Sequence, residues 1–372
     1  MISQTARVLF ATGFALSAVA LPADLESAIG ALKAVGPEGR GNDVASGAWK
    51  KLAAAGVDTL PDLLAAMDGA NDYALNWLRS AIETLVQQET AAGRALPTGG
   101  LESFLKDTRH HPRARRFAYE LIVRSQPQAA QRLVPGFVND PAPELRREAV
   151  QQLADVASQK AATDKAAAIA GLNEALGHAR EADQIEAIAK KLADLGEKPD
   201  LQKVFGWVTK WKVIGPFDNV GEAGFARVYG PEDSVDFGAE VDGKNGKVRW
   251  ADYETKSEYG LVDFNKPFTA LKGAGGYAAA EIWSDSERDV QVRLGSKNGW
   301  KVWMNGKYVF GRDEYHRASE IDQYRLPVRL KAGRNVLLVK CLQNEQTQDW
   351  AVEWEFQLRL TDEQGTPVVS TK

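Results

Sequence analysis

The chain has 372 residues, enough for two domains, with a formal net charge of −4 and a single cysteine, Cys341. The slight acidic excess argues against a dedicated nucleic-acid binder, whose affinity comes from neutralising phosphates. One cysteine excludes an internal disulfide, so ordinary packed cores must hold the fold.

Residues 1–7 carry one positive charge and residues 8–20 are apolar or small throughout, the layout of a secretory signal peptide. Ala18 and Ala20 supply the A-x-A cleavage pattern, which predicts a mature N-terminus at Leu21. The apolar run falls short of the roughly 20 residues a spanning helix needs, and Pro22 and Asp24 close it. The expectation is an exported bacterial protein, periplasmic or extracellular, with no stable membrane span once residues 1–20 are removed.

The remainder changes character near residue 200. Eight of the ten tryptophans lie beyond that point, whereas the preceding stretch is rich in Ala, Leu, Gln and Glu. Strong helix formers thus dominate the N-terminal side, and aromatic and β-branched residues the C-terminal side. Gly196 and Pro199 mark the junction. We predict a helical domain over 24–200, a linker at 201–206, a β-domain over 207–362 and a tail at 363–372.

Within the helical region a single phrase recurs: a short apolar helix, a turn containing Asp, and a second helix with an Arg-Arg pair. Leu101 to Asp107 followed by Pro112 to Leu121 is one copy, and Leu133 to Asp140 followed by residues 141–153 is the next. A looser, earlier version runs from Leu60 through Asn71 to Ala81. Asp107 and Asp140 are 33 residues apart, and each precedes such a pair, Arg115-Arg116 or Arg146-Arg147. That period belongs to stacked helical pairs. The second helices carry apolar stripes, such as Ala114, Phe117, Ala118, Leu121 and Ile122, which require burial against a neighbour. Over about residues 45–160 the pattern resembles HEAT-type repeats, which implies an α-solenoid. Residues 166–195 read as helix without the phrase and are expected to cap the stack.

The C-terminal region reads as antiparallel β-structure. From Trp350 to Leu360 large apolar residues alternate with polar ones, predicting a strand with one face in water. Val290, Val292 and Leu294 alternate likewise, Asn305-Gly306 is a strong hairpin signal, and Ala332-Gly333 joins a further pair of strands. Many strands with short turns predict a β-sandwich or jelly roll. Trp211 to Asn219, Val302-Trp-Met-Asn-Gly306 and Leu330 to Lys340 together resemble the galactose-binding-like jelly-roll domains of secreted bacterial proteins. That resemblance implies a sandwich over about 207–362 that binds sugars, spaces other domains or docks them.

Catalytic spacing is hard to find. The four histidines, His110, His111, His178 and His316, form no ligand pair with one another or with Cys341, and Gly273 to Gly276 lacks the ending of a phosphate loop. No cofactor is predicted. Asp218 and Asn219 offer oxygens of the type that calcium takes, though turn residues bonding their own backbone do the same. Arg109, Arg113, Arg115 and Arg116 concentrate positive charge, and Arg116 is spaced to pair with Glu120.

Trp300, Trp303 and Tyr308 flank the hairpin, with Arg312, His316 and Arg317 in the polar stretch that follows. Aromatic faces edged by hydrogen-bonding groups suit sugar rings, so these six form the candidate ligand site if their side of the hairpin is exposed. The resulting expectation is a non-enzymatic exported protein whose β-domain contacts a glycan or protein ligand, with the helical repeats as a second interaction surface. An inert jelly roll in an interaction scaffold and an enzyme with an unfamiliar carboxylate site are the alternatives.

Overall fold

A computed structural model describes residues 21–372; the predicted signal segment, residues 1–20, lies outside the described residues. The chain forms two compact units. One runs to Leu133 and takes in Asp140–Glu144, and the other comprises Val134–Asn139 and Leu145–Lys372. Their boundary lies well before Gly196, because the last helices share a core with the start of the β-structure: Phe205 and Trp207 pack with Leu172, Leu176, Ile185 and Ile188.

The first unit holds α1 (Ala23–Lys33), α2 (Asn42–Ala53), α3 (Leu60–Ala65), α4 (Asp72–Ala91), α5 (Thr98–Lys106), α6 (Pro112–Ser125) and α7 (Ala129–Leu133). Local chemistry sets the ends. Asn71 caps α4 by accepting from the Ala74 N–H, and Pro112 opens α6 where no donor is needed. The repeat phrase has a structural purpose here. Arg115 of α6, 2% exposed, donates both its terminal nitrogens to Asp140 at 2.6 Å and its Nε to the Leu105 carbonyl at 2.9 Å. A bidentate pair of this kind ties α6 to the turn at Asp140 within this unit, and removing one partner would leave a charge buried alone. The basic concentration is otherwise neutralised at the surface. Arg113 pairs with Asp72, Arg109 with Asp107, and Arg116 and Arg79 both with Glu120.

The helices of the second unit that precede its strands are α8 (Pro143–Gln159) from Leu145 onward, α9 (Lys165–His178), α10 (Ala182–Asp194) and α11 (Leu201–Phe205). Residues 166–195 are therefore two helices rather than one, broken where Ala179 turns extended after α9. The β-structure follows: β1 (Lys210–Asp218), α12 (Gly230–Asp233), β2 (Glu240–Gly243), β3 (Gly246–Arg249), β4 (Ala251–Glu254), β5 (Val262–Asp263), α13 (Asn265–Phe268), β6 (Ala274–Ser284), β7 (Arg288–Ser296), β8 (Gly299–Met304), β9 (Lys307–Arg312), β10 (Tyr324–Leu330), β11 (Gly333–Gln343) and β12 (Glu355–Thr361). One antiparallel sheet has the order β4-β1-β6-β11-β8-β9 and the other β10-β7-β12-β5, with β2-β3 as a separate hairpin. Their facing sides share a core of Trp211, Val213, Val292, Trp300, Val302, Trp354 and Phe356 among others, which makes the pair a sandwich. Asn305 and Gly306 both take positive φ, 54° and 75°, as the two-residue hairpin requires.

Two expectations about faces are corrected. The strand predicted from Trp350 begins only at Glu355, because Asp349–Ala351 form a short 3₁₀ turn, leaving Trp350 and Val352 exposed. The polar face of β12 is not in water either. Arg359 is fully buried, donates to the Phe205 carbonyl at 3.1 Å, and joins Arg293 around Asp322, all three at most 9% exposed. The helices of this unit cover that sheet face, so its charges must pair with one another.

The outer face of the six-stranded sheet is covered as well. Ile214, Phe217, Tyr277, Ala279, Trp303 and Leu338 form a second core beneath Tyr229, Val235, Phe237, Val241, Val248 and Trp250 from the long β1–β4 connection. Lys340 lies on this face with no exposure, donating to Glu232 at 2.7 Å and to the Arg227 carbonyl at 2.8 Å.

Candidate functional site

The six residues singled out around the hairpin do not form one surface. Trp300 is 1% exposed, in the sandwich core against Tyr324, and Trp303 is 6% exposed under the β1–β4 connection. Their place in the ligand site depended on exposure, and burial in the two cores, the second made by the β1–β4 connection, removes both rings from water. Tyr308 is exposed and lines a groove of about 670 Å³ on the open edge of the sandwich, together with Pro327 and Arg329. Arg312 lies over Phe310 and Tyr324 at 5.6 and 5.9 Å, and Arg317 is exposed. His316 alone enters a polar network.

That network is built where the loops after β1, β9 and β11 meet. Asn219, fully buried, donates to the Tyr315 hydroxyl at 3.2 Å and the Gln343 carbonyl at 3.1 Å, while its oxygen accepts from the Gly224 N–H at 2.9 Å. Asn344 repeats the arrangement one residue after the end of β11. Its Nδ2 donates to Glu222 at 3.1 Å and its Oδ1 lies 2.8 Å from His316 Nε2. Because the amide nitrogen is already engaged with a carboxylate, the imidazole must donate from Nε2. Glu222 and His316 both hold positive φ, 59° and 54°, unusual for non-glycine residues and characteristic of positions fixed by their surroundings. A Cβ on Gly299 would come within 2.9 Å of the Tyr315 ring, so only glycine lets that ring settle.

Trp350 stands beside this network at 58% exposure, its indole edge-on to His316 at 5.4 Å. The loop that carries it is pinned just after the indole. Buried Gln343 donates to the carbonyls of Ala351 and Glu353, each at 3.0 Å, and Asn298 donates to the Glu353 carbonyl, also at 3.0 Å. The indole is therefore displayed from a fixed frame. Partial desolvation of the Asp313 carboxyl, with the charge of Glu222 nearby, raises its pKa; burial likewise raises that of the Tyr315 phenol.

Asp218 is engaged with Lys244 at 2.6 Å and Asn219 with the groups above, so both offer their oxygens to the protein rather than to an ion. Among the described residues, no group of three or more His, Cys, Asp or Glu could hold a metal. Sequence reasoning missed Trp350, Asn344 and Tyr315. One signal was present: residues 343–349 are polar throughout, too long a polar run for β11 to continue into a strand at Trp350.

No protein-family profile matches the chain, and no curated protein matches it. Among solved structures it is similar to the PA14 domain of the MpAFP antifreeze protein, at 13% identity over 26% of this chain and 48% of that one, TM-score 0.20. It is also similar to a family 35 carbohydrate binding module from Clostridium thermocellum, at 11% identity over 28% and 89%, TM-score 0.17. A beta-glucosidase from Kluyveromyces marxianus matches at 10% identity over 41% and 16%, TM-score 0.25. The chain spans under half the length of the antifreeze and glucosidase structures. With TM-scores of 0.25 or lower, no residue role carries over.

Proposed function

We propose that the β-sandwich is the glycan-recognition part of an exported, non-catalytic binding protein, with the ligand on the loop platform of Trp350, His316, Asn344 and Glu222. The helical repeats serve as its second interaction surface. The observation that carries this reading is Trp350: a tryptophan 58% exposed on a loop held by buried amides. Exposed indole on a rigid frame presents a stacking face without an ordering cost at binding. Beside it, an imidazole and a carboxylate reach the edge of a stacked sugar ring.

Screening the chain on a polysaccharide array and titrating the best ligand tests the reading. Trp350→Ala should weaken binding by about 1–3 kcal/mol, on the scale of stacked bases. An array with no positive glycan, or unchanged affinity in Trp350→Ala, would overturn it. A carboxylate hydrolase is the second reading, since partial desolvation, with the charge of Glu222 nearby, raises the pKa of the Asp313 carboxyl in the direction a general acid needs. Release of reducing ends from an array-positive glycan, lost in Asp313→Asn, would move the conclusion there.

A further inference from the structure

Of the two tryptophans outside the β-rich region, Trp77 lines a pocket of the first unit and Trp49 is bonded to its rim at Ser80. The pocket has a volume of about 420 Å³ and sits between the turn before α2 and the exposed side of α4. Tyr73, Asn76, Trp77 and Ser80 line it. Their spacing, i, i+3, i+4 and i+7, places all four on one stripe of the helix, while Ala74, Leu75, Leu78, Ala81 and Ile82 face the core. Neither aromatic belongs to that core face, Trp77 being half-buried and Tyr73 exposed. Tyr73 is 50% exposed one turn from Trp77, and Trp49 donates its indole N–H to Ser80 Oγ at 3.2 Å. That bond occupies an acceptor position of the hydroxyl and leaves its own O–H to donate.

The facing wall is formed by Gly36, Gly39 and Asn42. Backbone bonds from Gly36 N–H to the Arg40 carbonyl and from Arg40 N–H to the Pro37 carbonyl close this turn, and Gly39 takes φ 77°. No side chain from either glycine enters the space. The lining carries no Asp, Glu, Lys, Arg or His, and the charges next to it on α4 are engaged elsewhere, Asp72 with Arg113 at 3.0 Å and Arg79 with Glu120 at 2.9 Å.

We propose that this pocket binds a neutral sugar unit of a glycan, stacked on Tyr73 and Trp77 and hydrogen-bonded by the carboxamides of Asn42 and Asn76 and the hydroxyl of Ser80. The lining residues are themselves neutral, which favours an uncharged ligand, and the nearest cation on the facing turn is Arg40, packed against Gly36. Sugar hydroxyls both donate and accept, so they satisfy the C=O and the NH₂ of each carboxamide. A proline-rich peptide, the other ligand class that aromatic grooves take, lacks N–H groups at its prolines and would leave the amide oxygens unmatched. The volume lies within the range of small-ligand sites, about 300–1,000 Å³. None of these residues belongs to the Trp350 platform, and the inference stands if that reading fails.

The test follows the indole N–H resonances of Trp49 and Trp77 in the full chain, assigned with Trp49→Phe and Trp77→Phe, during titration with cellotriose, maltotriose and chitotriose. At least one sugar should shift both signals. Tyr73→Ala should weaken that titration about tenfold, the size of one lost stacking contact, with an unchanged melting temperature, and Trp350→Ala should leave it unaltered. Silence towards all three sugars up to about 10 mM, weaker than any useful affinity, would overturn the proposal. So would undiminished binding by Tyr73→Ala, or shifts produced by a proline-rich decapeptide and by none of the sugars.

Discussion

The β8–β9 hairpin and the loop between β11 and β12 each carry a tryptophan on the side away from the sandwich core, and the two are treated oppositely. Trp303 is 6% exposed beneath the β1–β4 connection, whereas Trp350 is 58% exposed on a loop held by Gln343 and Asn298. Strand alternation alone would rank Trp303 as the better display position, since it lies in a hairpin strand on the face opposite Val302. The decisive influence is what the intervening chain does with each surface. A connection rich in Tyr, Phe, Val and Trp folds back over the sheet and converts its outer face into a second core. The loop after β11 is polar along residues 343–349 and covers nothing, so the indole that follows it remains available.

The contrast is broken most directly at Trp303. Trp303→Ala empties part of a packed layer and should cost about 3–5 kcal/mol of stability, the usual range for truncating a core aromatic, while glycan affinity at the Trp350 platform stays as in the wild type. Chemical denaturation beside a binding titration reads both. A cost below about 1 kcal/mol, typical of surface positions, would mean that the covering segment is not a core at all.

The same layer makes a smaller, pH-dependent prediction. Burial pushes the Lys340 amine down to about 8, with Glu232 acting in the opposite direction. The folded pKa thus lies below the ordinary lysine value near 10.4. Between these two values the unfolded chain binds more protons than the native one, so stability should rise with pH from about 8 to about 10.4. The gain from this group is about 2–3 kcal/mol at a scale of about 1.4 kcal/mol per pKa unit, and Lys340→Met should flatten it. A wild-type profile that falls through this window, or a rise that persists in Lys340→Met, would show that the amine is solvated and the cover loose.

Much of this organisation is legible in the sequence. The Ala- and Leu-rich N-terminal half anticipates helices, and two members of its recurring phrase, Arg115 and Asp140, meet as a buried pair. Asn305-Gly306 and the alternation around Val292 likewise anticipate the strands. Periodicity states which residues share a face, and it is silent about what lies against that face. Arg359 and Arg293 therefore read as solvated, although they are buried around Asp322, and Trp303 reads as a display residue. The loop platform was less legible still. Its members, Glu222, His316, Asn344 and Trp350, come from three connections spread over residues 222–350 and meet only through tertiary structure.

Trp350 touches the network through an edge-on contact with His316, and its loop is held by backbone carbonyls of Ala351 and Glu353, which any residue at position 350 leaves intact. Trp350→Ala should therefore change stability by no more than about 0.5 kcal/mol, the ordinary range for surface substitutions, in a protein where the same change at Trp303 is among the most damaging. Paired melts of the two variants measure the difference without reference to any ligand. A loss at Trp350 as large as that at Trp303 would identify the indole as a plug for the loop cluster and remove the reason for its exposure. A negligible loss leaves a large apolar ring maintained in water on a rigid support, for which stacking against a ligand is the physical account.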